Sequence, residues 1–333
     1  MNMPYGNFDT LARSRLLWGI LTSAIFFAAV AVLAAFHFEE TKELLRLLKN
    51  SDIGWIVIAI ISQIPTYIFT GLVWHLSARA VNYPLSLKSL TELALEQLSV
   101  SQIIPSAGLA GNIVVIRAMK RFGLSNTLAL EIFFIETLSY YIAFSGVALL
   151  AVIILWLHQG VTPIISSLVS IFFVIQFAIG ALIWSAANHK KLKVLVWIKE
   201  KKIFSKLFSL LENVSGERVF SRSLLFETSF FRLGVFFLDT ITFFAILRSI
   251  GVEASLTTSF VAFIIASIAG AVTLLPGGLG GFEAAAVGIL NLLGVPLGAA
   301  IAATAIFRIL TLWLPLVPGL IYAREDLGFK QPT

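Results

Sequence analysis

The sequence has no cysteine and only four histidines, and these two shortages narrow the chemistry that the chain can support. Without cysteine there can be no disulfides, thiolate metal sites or cysteine nucleophiles. The histidines are scattered near the predicted ends of helices and the acidic residues show no ligand spacing, so we expect no metal or other cofactor. Because neither a nucleophile nor a metal constellation is apparent, the sequence predicts that the chain is not an enzyme.

Charge is also scarce, and its scarcity points to a membrane. Charged residues make up 13% of the sequence and hydrophobic residues 58%, with a mean hydropathy of +0.94, whereas about a quarter of a soluble domain is charged. Apolar runs of about 20 residues recur, which is the length that crosses a hydrocarbon core, and they lack the alternating polar positions of outer-membrane strands. The predicted fold class is an all-α polytopic membrane protein, with residues 1–333 forming a single transmembrane domain.

The apolar runs are of two kinds, continuous and interrupted. The first continuous run, 16–36, is too long for the apolar core of a signal peptide and lacks a clear cleavage site, so we expect a retained span. Proline and glycine break two other stretches, 86–122 and 256–293, which we expect to form hairpins. The prediction is about six full spans plus two hairpins, the remaining continuous spans being 53–76, 126–157, 162–186, 224–248 and 297–321.

Basic residues are concentrated in one predicted loop, 187–222. Its nine basic residues outnumber its three acidic residues by six, which equals the formal net charge of the whole chain, +6. By the positive-inside rule this loop is cytoplasmic, and threading outward from it places both termini in the cytoplasm and 37–52 and 249–255 outside. The threading requires re-entrant hairpins, the first entering from the cytoplasm and the second from outside. The loop itself is either a charged connector or an amphipathic helix lying on anionic inner-leaflet lipid.

The two interrupted stretches resemble each other and indicate an internal repeat. The run 105–111 is similar to the run 276–281 with one residue dropped, and in each stretch a glycine follows the proline after 18 residues. The repeats are then 53–158 and 224–323, each consisting of a span, a broken hairpin and a span. Because the hairpins enter from opposite sides, the repeats have inverted topology, which transporters use to build a substrate site at the repeat interface. The other interpretation is a packing motif in which small residues let helices approach closely.

Glycine-rich tips at membrane depth suit a ligand site. Glycine allows positive φ angles and close approach of the backbone, and amides at the start of a helix can bind an anion. Glu283 lies at the start of the outgoing half-helix, and Arg308 lies deep in the final span, where a cation needs an acid, water or an anionic substrate. The candidate substrate-binding residues are Pro105, Ser106, Gly108, Gly111 and Asn112 at the first tip, Pro276, Gly277, Gly278, Gly280, Gly281 and Glu283 at the second tip, and Arg308.

Other ionisable residues also fall within predicted spans, where charges are costly and are usually functional or paired. Arg232 and Asp239 lie two helical turns apart on one face of the same span. Superimposing the repeats with an offset of 171 residues brings Glu136 opposite Phe307, next to Arg308, so the repeat predicts a Glu136–Arg308 pair. The alternative role for each charge is an ion pair that ties helices together. The candidate embedded charges are Glu92, Glu96, Glu131, Glu136, Arg232 and Asp239.

The runs at 105–111 and 276–283 resemble the paired signatures of the lysylphosphatidylglycerol synthase transmembrane, or flippase-like, family, and the resemblance covers about 15–323. It implies movement of a phospholipid, or of a polyisoprenoid- or terpenoid-type lipid, between the leaflets of a prokaryotic inner membrane. The soluble domain that makes the aminoacyl lipid in bifunctional members has no counterpart in this sequence, so we expect no synthase activity. With Ser106 and Ala107, the first tip departs from the more glycine-rich form of the family.

The sequence therefore predicts a flippase-like lipid transporter that holds a headgroup at the glycine tips while the tails stay in the bilayer. No nucleotide-binding motif is present, so movement would be passive or driven by an ion gradient. Two alternatives stay open: a small-solute or ion transporter on the same scaffold, and a non-transporting partner of lipid biosynthesis. The expected partners are a membrane lipid, anionic inner-leaflet lipid at 187–222, and a lipid-synthesis enzyme or a second copy of the chain, but no nucleic acid.

Overall fold

The computed structural model describes residues 46, 49, 51–103, 109–157, 160–187, 214–273 and 275–322. Helices account for almost all of these ranges, and no β-strand occurs in them. In chain order the helices are α1 (Ile53–Ala80), α2 (Leu87–Ile103), α3 (Leu109–Arg121), α4 (Asn126–Leu157), α5 (Pro163–Ala187), α6 (Gly216–Val219), α7 (Arg222–Ser249), α8 (Leu256–Thr273), α9 (Gly281–Leu292), α10 (Leu297–Arg308) and α11 (Leu316–Tyr322).

Six helical stretches in the described part of the chain are long and apolar enough to cross a membrane. They are α1, α4, Pro163–Ser185 within α5, α7, α8, and the final stretch Leu297–Tyr322. The predicted all-α polytopic fold class is therefore confirmed. The predicted first span at 16–36, most of the 187–222 loop and both chain termini lie outside the described residues.

Each interrupted stretch contains two described helices, one on each side of the predicted tip, and 104–108 at the first tip lie outside the described residues. The first stretch forms α2 and α3, and the second forms α8 and α9, with a single 3₁₀ turn at Pro276–Gly278 between them. The two helices of the second stretch differ in length. α8 has 18 residues and rises about 27 Å, whereas α9 has 12 residues. Length alone thus makes α8 a candidate span and not only one arm of a hairpin. Re-entry and inverted topology stay predictions.

The final span is not one regular helix. α10 ends at Arg308, the next five residues, Ile309–Trp313, form a π-helical turn, and α11 begins at Leu316. Pro315 and Pro318 lack the N–H groups that would continue the α-helical hydrogen-bond pattern. π-helical turns are rare and occur frequently at functional sites, and this one follows Arg308 directly.

The chain divides into two compact units, each assembled from separate stretches. Unit 1 contains Met1–Ile64, Leu95–Val114 and Leu238–Thr333, and unit 2 contains Pro65–Ala94 and Val115–Phe237. The described residues on both sides of each tip therefore belong to unit 1, although the two tips are about 170 residues apart in the sequence.

In unit 1, α8 and α9 pack directly against each other around a shared aromatic core. The rings of Phe282 and Phe307 are stacked, with 5.6 Å between their centroids and 7° between their planes. Phe307 also lies 4.9 Å from Phe243 and 5.6 Å from Phe263. These four rings join α7, α8, α9 and α10, so the second tip rests on a packed support.

In unit 2, α4 packs against α5 and the short helix α6. Ile135 of α4 and Ile183 of α5 belong to one buried apolar cluster, and Phe144 meets Phe172 with 4.5 Å between ring centroids. The opposite face of α5 is apolar and open, with Phe177 80% exposed. An apolar helix that is open along one side is expected where the side chains face lipid rather than water.

Candidate functional site

The second tip is a sharp backbone turn that requires glycine. The φ angles of Gly277, Gly278 and Gly280 are +59°, +66° and +82°, values at which side-chain-bearing residues are strained. A Cβ atom on Gly278 would also lie 2.8 Å from the Cα of Gly270 in α8. At Gly281 a larger residue is excluded by sterics and not by φ, because a Cβ atom there would collide with Thr273. The glycine spacing of the motif thus follows from the turn and from the close packing of α8 on α9.

Arg308 and Glu283 meet at this tip. The Nε of Arg308 donates to Oε1 of Glu283 at 2.6 Å, and its Nη2 donates to the carbonyl of Gly277. The other carboxylate oxygen of Glu283 accepts from the backbone N–H of Gly280 at 2.7 Å. The guanidinium also lies 4.6 Å from the ring centroid of Phe282. Three of the predicted site residues and Arg308 therefore form one hydrogen-bonded cluster.

Arg308 and Glu283 form an ion pair that is partly exposed at the surface of the protein. The Arg308 side chain is 12% exposed and the Glu283 side chain 32% exposed. Glu283 also accepts the hydrogen bond of the Gly280 amide, which precedes α9 and could otherwise bind an external anion. The Glu283 carboxylate thus binds both the Arg308 guanidinium and a backbone amide of the tip.

The first tip is described on its two flanks. Gln97 donates through Nε2 to Oδ1 of Asn112 at 3.2 Å, which joins α2 to α3. Gly111 is buried, and a Cβ atom on it would collide with Ser101, so α2 and α3 cross closely. Pro105, Ser106 and Gly108 lie outside the described residues.

Gln102, the penultimate residue of α2, lies next to the second tip. A Cβ atom on Gly277 would collide with Oε1 of Gln102, so the Gln102 amide lies directly against the second tip. The last turn of α2 and the second tip thus form one surface within unit 1.

Comparison with known proteins gives the family. The family model for the lysylphosphatidylglycerol synthase TM region matches residues 17–319, which include both tips. The chain belongs to this family. A relative in Methanothermobacter thermautotrophicus, named UPF0104 membrane protein, is 26% identical over 122 residues, covering 34% of this chain and 36% of the relative. The chain thus spans about a third of the length of that relative.

Membership of the lysylphosphatidylglycerol synthase transmembrane family confirms the resemblance that the two tips suggested. The match extends over nearly the same residues as the resemblance and includes all six candidate spans except the last few residues of the final one. The chain is therefore a multi-pass membrane protein of this family.

The embedded pair in unit 2 differs from the predicted one. Glu136 accepts a hydrogen bond from Nη2 of Arg232, and Arg308 is bound by Glu283, so the predicted Glu136–Arg308 pair is wrong. Arg232 also donates to Oγ1 of Thr70 at 3.2 Å. The alignment of the repeats stays a prediction, but each of these two arginines pairs with an acid of its own unit.

Glu131 ties the end of the basic loop to α4. Its carboxylate accepts two hydrogen bonds from Arg218, at 2.7 and 2.8 Å, and one from the backbone N–H of Ser215 at 2.8 Å. The Glu131 side chain is fully buried. The hydrogen bond to Glu131 raises the pKa of Arg218, which lies in α6 outside the spans. This geometry assigns Glu131 a structural contact with the chain that leads into α7.

The remaining embedded acids have different surroundings. Glu92 is half-buried and Glu96 is buried, one turn apart on α2. Asp239 of α7 accepts a hydrogen bond from Nε2 of Gln63 in α1 at 2.9 Å. The same Gln63 nitrogen lies 2.7 Å from Oγ1 of Thr242. Asp239 therefore belongs to a polar cluster between two spans.

Two glutamines that the sequence analysis did not select contribute to these sites. Gln102 lies against Gly277, and Gln63 binds Asp239. Both are single neutral residues within or beside apolar runs, so a search for embedded charges passes over them. An amide placed directly before a proline- and glycine-rich break, as Gln102 is, could have identified the first of the two.

Proposed function

We propose that this protein is a flippase-like transporter that moves a phospholipid or another amphiphilic lipid between the leaflets of a prokaryotic inner membrane. The observation that carries the proposal is the partly open Arg308–Glu283 pair at the glycine turn between α8 and α9. A guanidinium at membrane depth attracts an anionic headgroup, and its planar fork suits phosphate. Membership of the family supports the same reading.

Headgroup binding would proceed by exchange of anions at Arg308. In the structure the Glu283 carboxylate accepts hydrogen bonds from the Arg308 guanidinium and the Gly280 amide. A lipid phosphate can accept from both donors, since charge-assisted hydrogen bonds to phosphate resemble those to carboxylate. The exchange replaces one anion by another, so the guanidinium is never left without a counter-charge.

The proposal extends to orientation and partners. The basic loop 187–222 and both termini lie in the cytoplasm, and the two broken stretches enter from opposite sides. The loop contacts anionic inner-leaflet lipid, and the protein works beside a lipid-synthesis enzyme or as a homo-oligomer. It carries out no chemical conversion of the lipid and uses no cofactor. The orientation is inferred from the distribution of basic residues and the spacing of the two tips, and the lack of chemistry and of a cofactor from a sequence without cysteine or a metal-ligand spacing.

Reconstitution tests the proposal. Purified protein is placed in liposomes that contain a trace of headgroup-labelled fluorescent phospholipid, and a membrane-impermeant reductant bleaches the outer leaflet. We expect the bleached fraction to exceed the outer-leaflet share of empty liposomes, and Arg308→Ala to abolish the excess. Arg79→Ala, which changes an exposed arginine near the end of α1 and outside the 187–222 loop, is the matched control. Ion uptake without lipid movement would favour the small-solute or ion transporter instead.

A further inference from the structure

Asp239 differs from the other embedded acids that have an assigned contact. Glu131, Glu136 and Glu283 each pair with an arginine. Within the described chain, the Asp239 carboxylate instead receives a single hydrogen bond, from the neutral amide of Gln63 to Oδ1, and meets no cation. An arginine-paired carboxylate must break its ion pair to take up a proton, whereas Asp239 can do so without losing a counter-charge.

The neighbours of Asp239 are neutral hydrogen-bonding groups on two helices. Gln63 and Ser62 of α1 are each 7% exposed, and Thr242 of α7 is fully buried. The hydroxyls of Ser62 and Thr242 lie 2.7 Å apart, and Gln63 donates to Thr242 as well as to Asp239. An ionisable group is costly inside a span, and those that occur there are usually functional or paired. The hydrogen bonds of this cluster form a continuous chain from one helix to the other.

Among the described residues, no other charged residue of α7 bonds to the Asp239 carboxylate. Arg232, two turns before Asp239, is bound by Glu136 and Thr70. Arg248 lies toward the other end of α7, with its guanidinium 5.5 Å from the ring centroid of Phe244. On α1, the residues that contact the cluster are Gln63 and Ser62, and neither titrates. Among the described residues, Asp239 is thus the titratable member of this cluster.

We propose that Asp239 takes up and releases one proton in each transport cycle, so that a proton gradient drives the lipid movement. This inference rests on the proposed function. The proton forms an O–H bond at Oδ2, the oxygen that Gln63 does not engage, and later leaves to the opposite side without electron transfer. A proton fits better than a metal cation, because Gln63 presents its NH₂ group to the carboxylate and an N–H donor repels a cation.

A packed route connects this cluster to the Arg308–Glu283 pair inside unit 1. Phe243 follows Thr242 in α7 and contacts the ring of Phe307. Phe307 precedes Arg308 and stacks on Phe282, which precedes Glu283. A change in the packing of α7 when Asp239 gains or loses charge would therefore reach the ion pair through contiguous side chains.

Infrared titration of the protein in lipid bilayers tests proton binding without reference to transport. A protonated carboxylic acid has a carbonyl stretch that a carboxylate lacks. We expect a band of this kind to disappear as the pH rises, and to be missing from Asp239→Asn at every pH. It should persist in Asp52→Asn, which changes an exposed acid beside the start of α1. A titrating band that Asp239→Asn leaves unchanged, or no such band in the wild type, would overturn the proposal.

A second variant covers the case in which Asp239→Asn does not fold. Gln63→Leu keeps the acid but removes its donor, so the pH at which the band disappears should move. An unchanged titration in Gln63→Leu would show that the band belongs to another group and would overturn the assignment to Asp239.

Liposomes with a pH difference test the coupling. With one proton per lipid, a difference of one pH unit allows up to about tenfold enrichment of the labelled lipid in one leaflet. We expect enrichment in the wild type and in Asp52→Asn, and a ratio of one in Asp239→Asn. Enrichment driven by sodium but not by pH would overturn the proposal. A wild type that titrates but moves no lipid contradicts only the proposed function, whereas one that moves lipid without an Asp239 band contradicts only the proton site.

Discussion

Arg308 and Glu283 are 25 residues apart in the chain, and the Nε of Arg308 donates to Oε1 of Glu283 at 2.6 Å. The same guanidinium holds the carbonyl of Gly277, and the same carboxylate accepts from the amide of Gly280. The pair therefore joins α10 to both sides of the glycine turn. Removing either charge should change the shape of the tip as well as its charge.

Replacement of Arg308 separates these two effects. We expect Arg308→Ala to lower the free energy of unfolding by about 1–3 kcal/mol, because Glu283 and the Gly277 carbonyl lose their donor. Removing Glu283 as well should restore part of the stability but not the lipid translocation. Arg308→Lys should restore only part of the translocation, because lysine lacks the bidentate fork. Unfolding temperatures and translocation rates check this, and a double variant that recovers both quantities would show that Arg308 serves only Glu283.

The glycine turn predicts a contrast between two glycines on either side of the start of α9. Gly278→Ala should cost about 1–3 kcal/mol or more, because its φ is +66° and its Cβ atom would lie 2.8 Å from Gly270. Gly288→Ala is the matched control, since nothing lies within 4 Å of its Cβ position. That change should leave stability unchanged or raise it by up to about 1 kcal/mol. Equal effects of the two substitutions on the unfolding temperature would contradict the tight turn.

The contact between Glu131 and Arg218 predicts a structural effect. Arg218→Ala leaves the buried carboxylate with only the Ser215 amide, and we expect a loss of about 1–3 kcal/mol in unfolding free energy. Glu217→Gln, an exposed neighbour on α6, should have no effect. The translocation rate per folded molecule should stay the same in both variants. A lower rate at an unchanged unfolding temperature would instead place Glu131 in the transport pathway.

Topology can be tested with cysteines because the chain has none of its own. Glu217→Cys precedes α7 and Glu253→Cys follows it, and both positions are exposed. A membrane-impermeant thiol reagent applied from outside should label position 253 and not position 217, since 187–222 is predicted to be cytoplasmic. Labelling of position 217 from outside would contradict the positive-inside assignment and with it the inverted repeats.

Helix positions were largely predictable because apolar runs end at charged residues, proline or glycine. The run 126–157 predicts α4 with the bounds that the structure has, and 162–186 differs from α5 by one residue at each end. The run 297–321 matches the final span, but the π-helical turn after Arg308 has no separate signal in hydropathy. Length and apolar content thus predict where spans lie and not how regular they are.

The partners of embedded side chains could not be predicted in the same way. The repeat offset places Glu136 beside Arg308, yet Arg232 reaches Glu136 from α7. Which acid faces an arginine depends on how helices are rotated and packed, and a linear alignment does not contain that information. Gln63 and Gln102 illustrate the same limit, because a neutral amide becomes notable only when its neighbour in space is known. The second tip was easier, since glycine is required there by backbone geometry.

The most direct test compares two fluorescent lipids that differ only in a headgroup phosphate. Their translocation is measured in liposomes that contain the wild type, Arg308→Ala or Arg79→Ala. We expect the wild type and Arg79→Ala to accelerate the phosphate-bearing lipid well above empty liposomes, and Arg308→Ala not to do so. If the wild type leaves that lipid at the rate of empty liposomes, or if Arg308→Ala moves it as fast as the wild type, lipid translocation through the Arg308 site is contradicted.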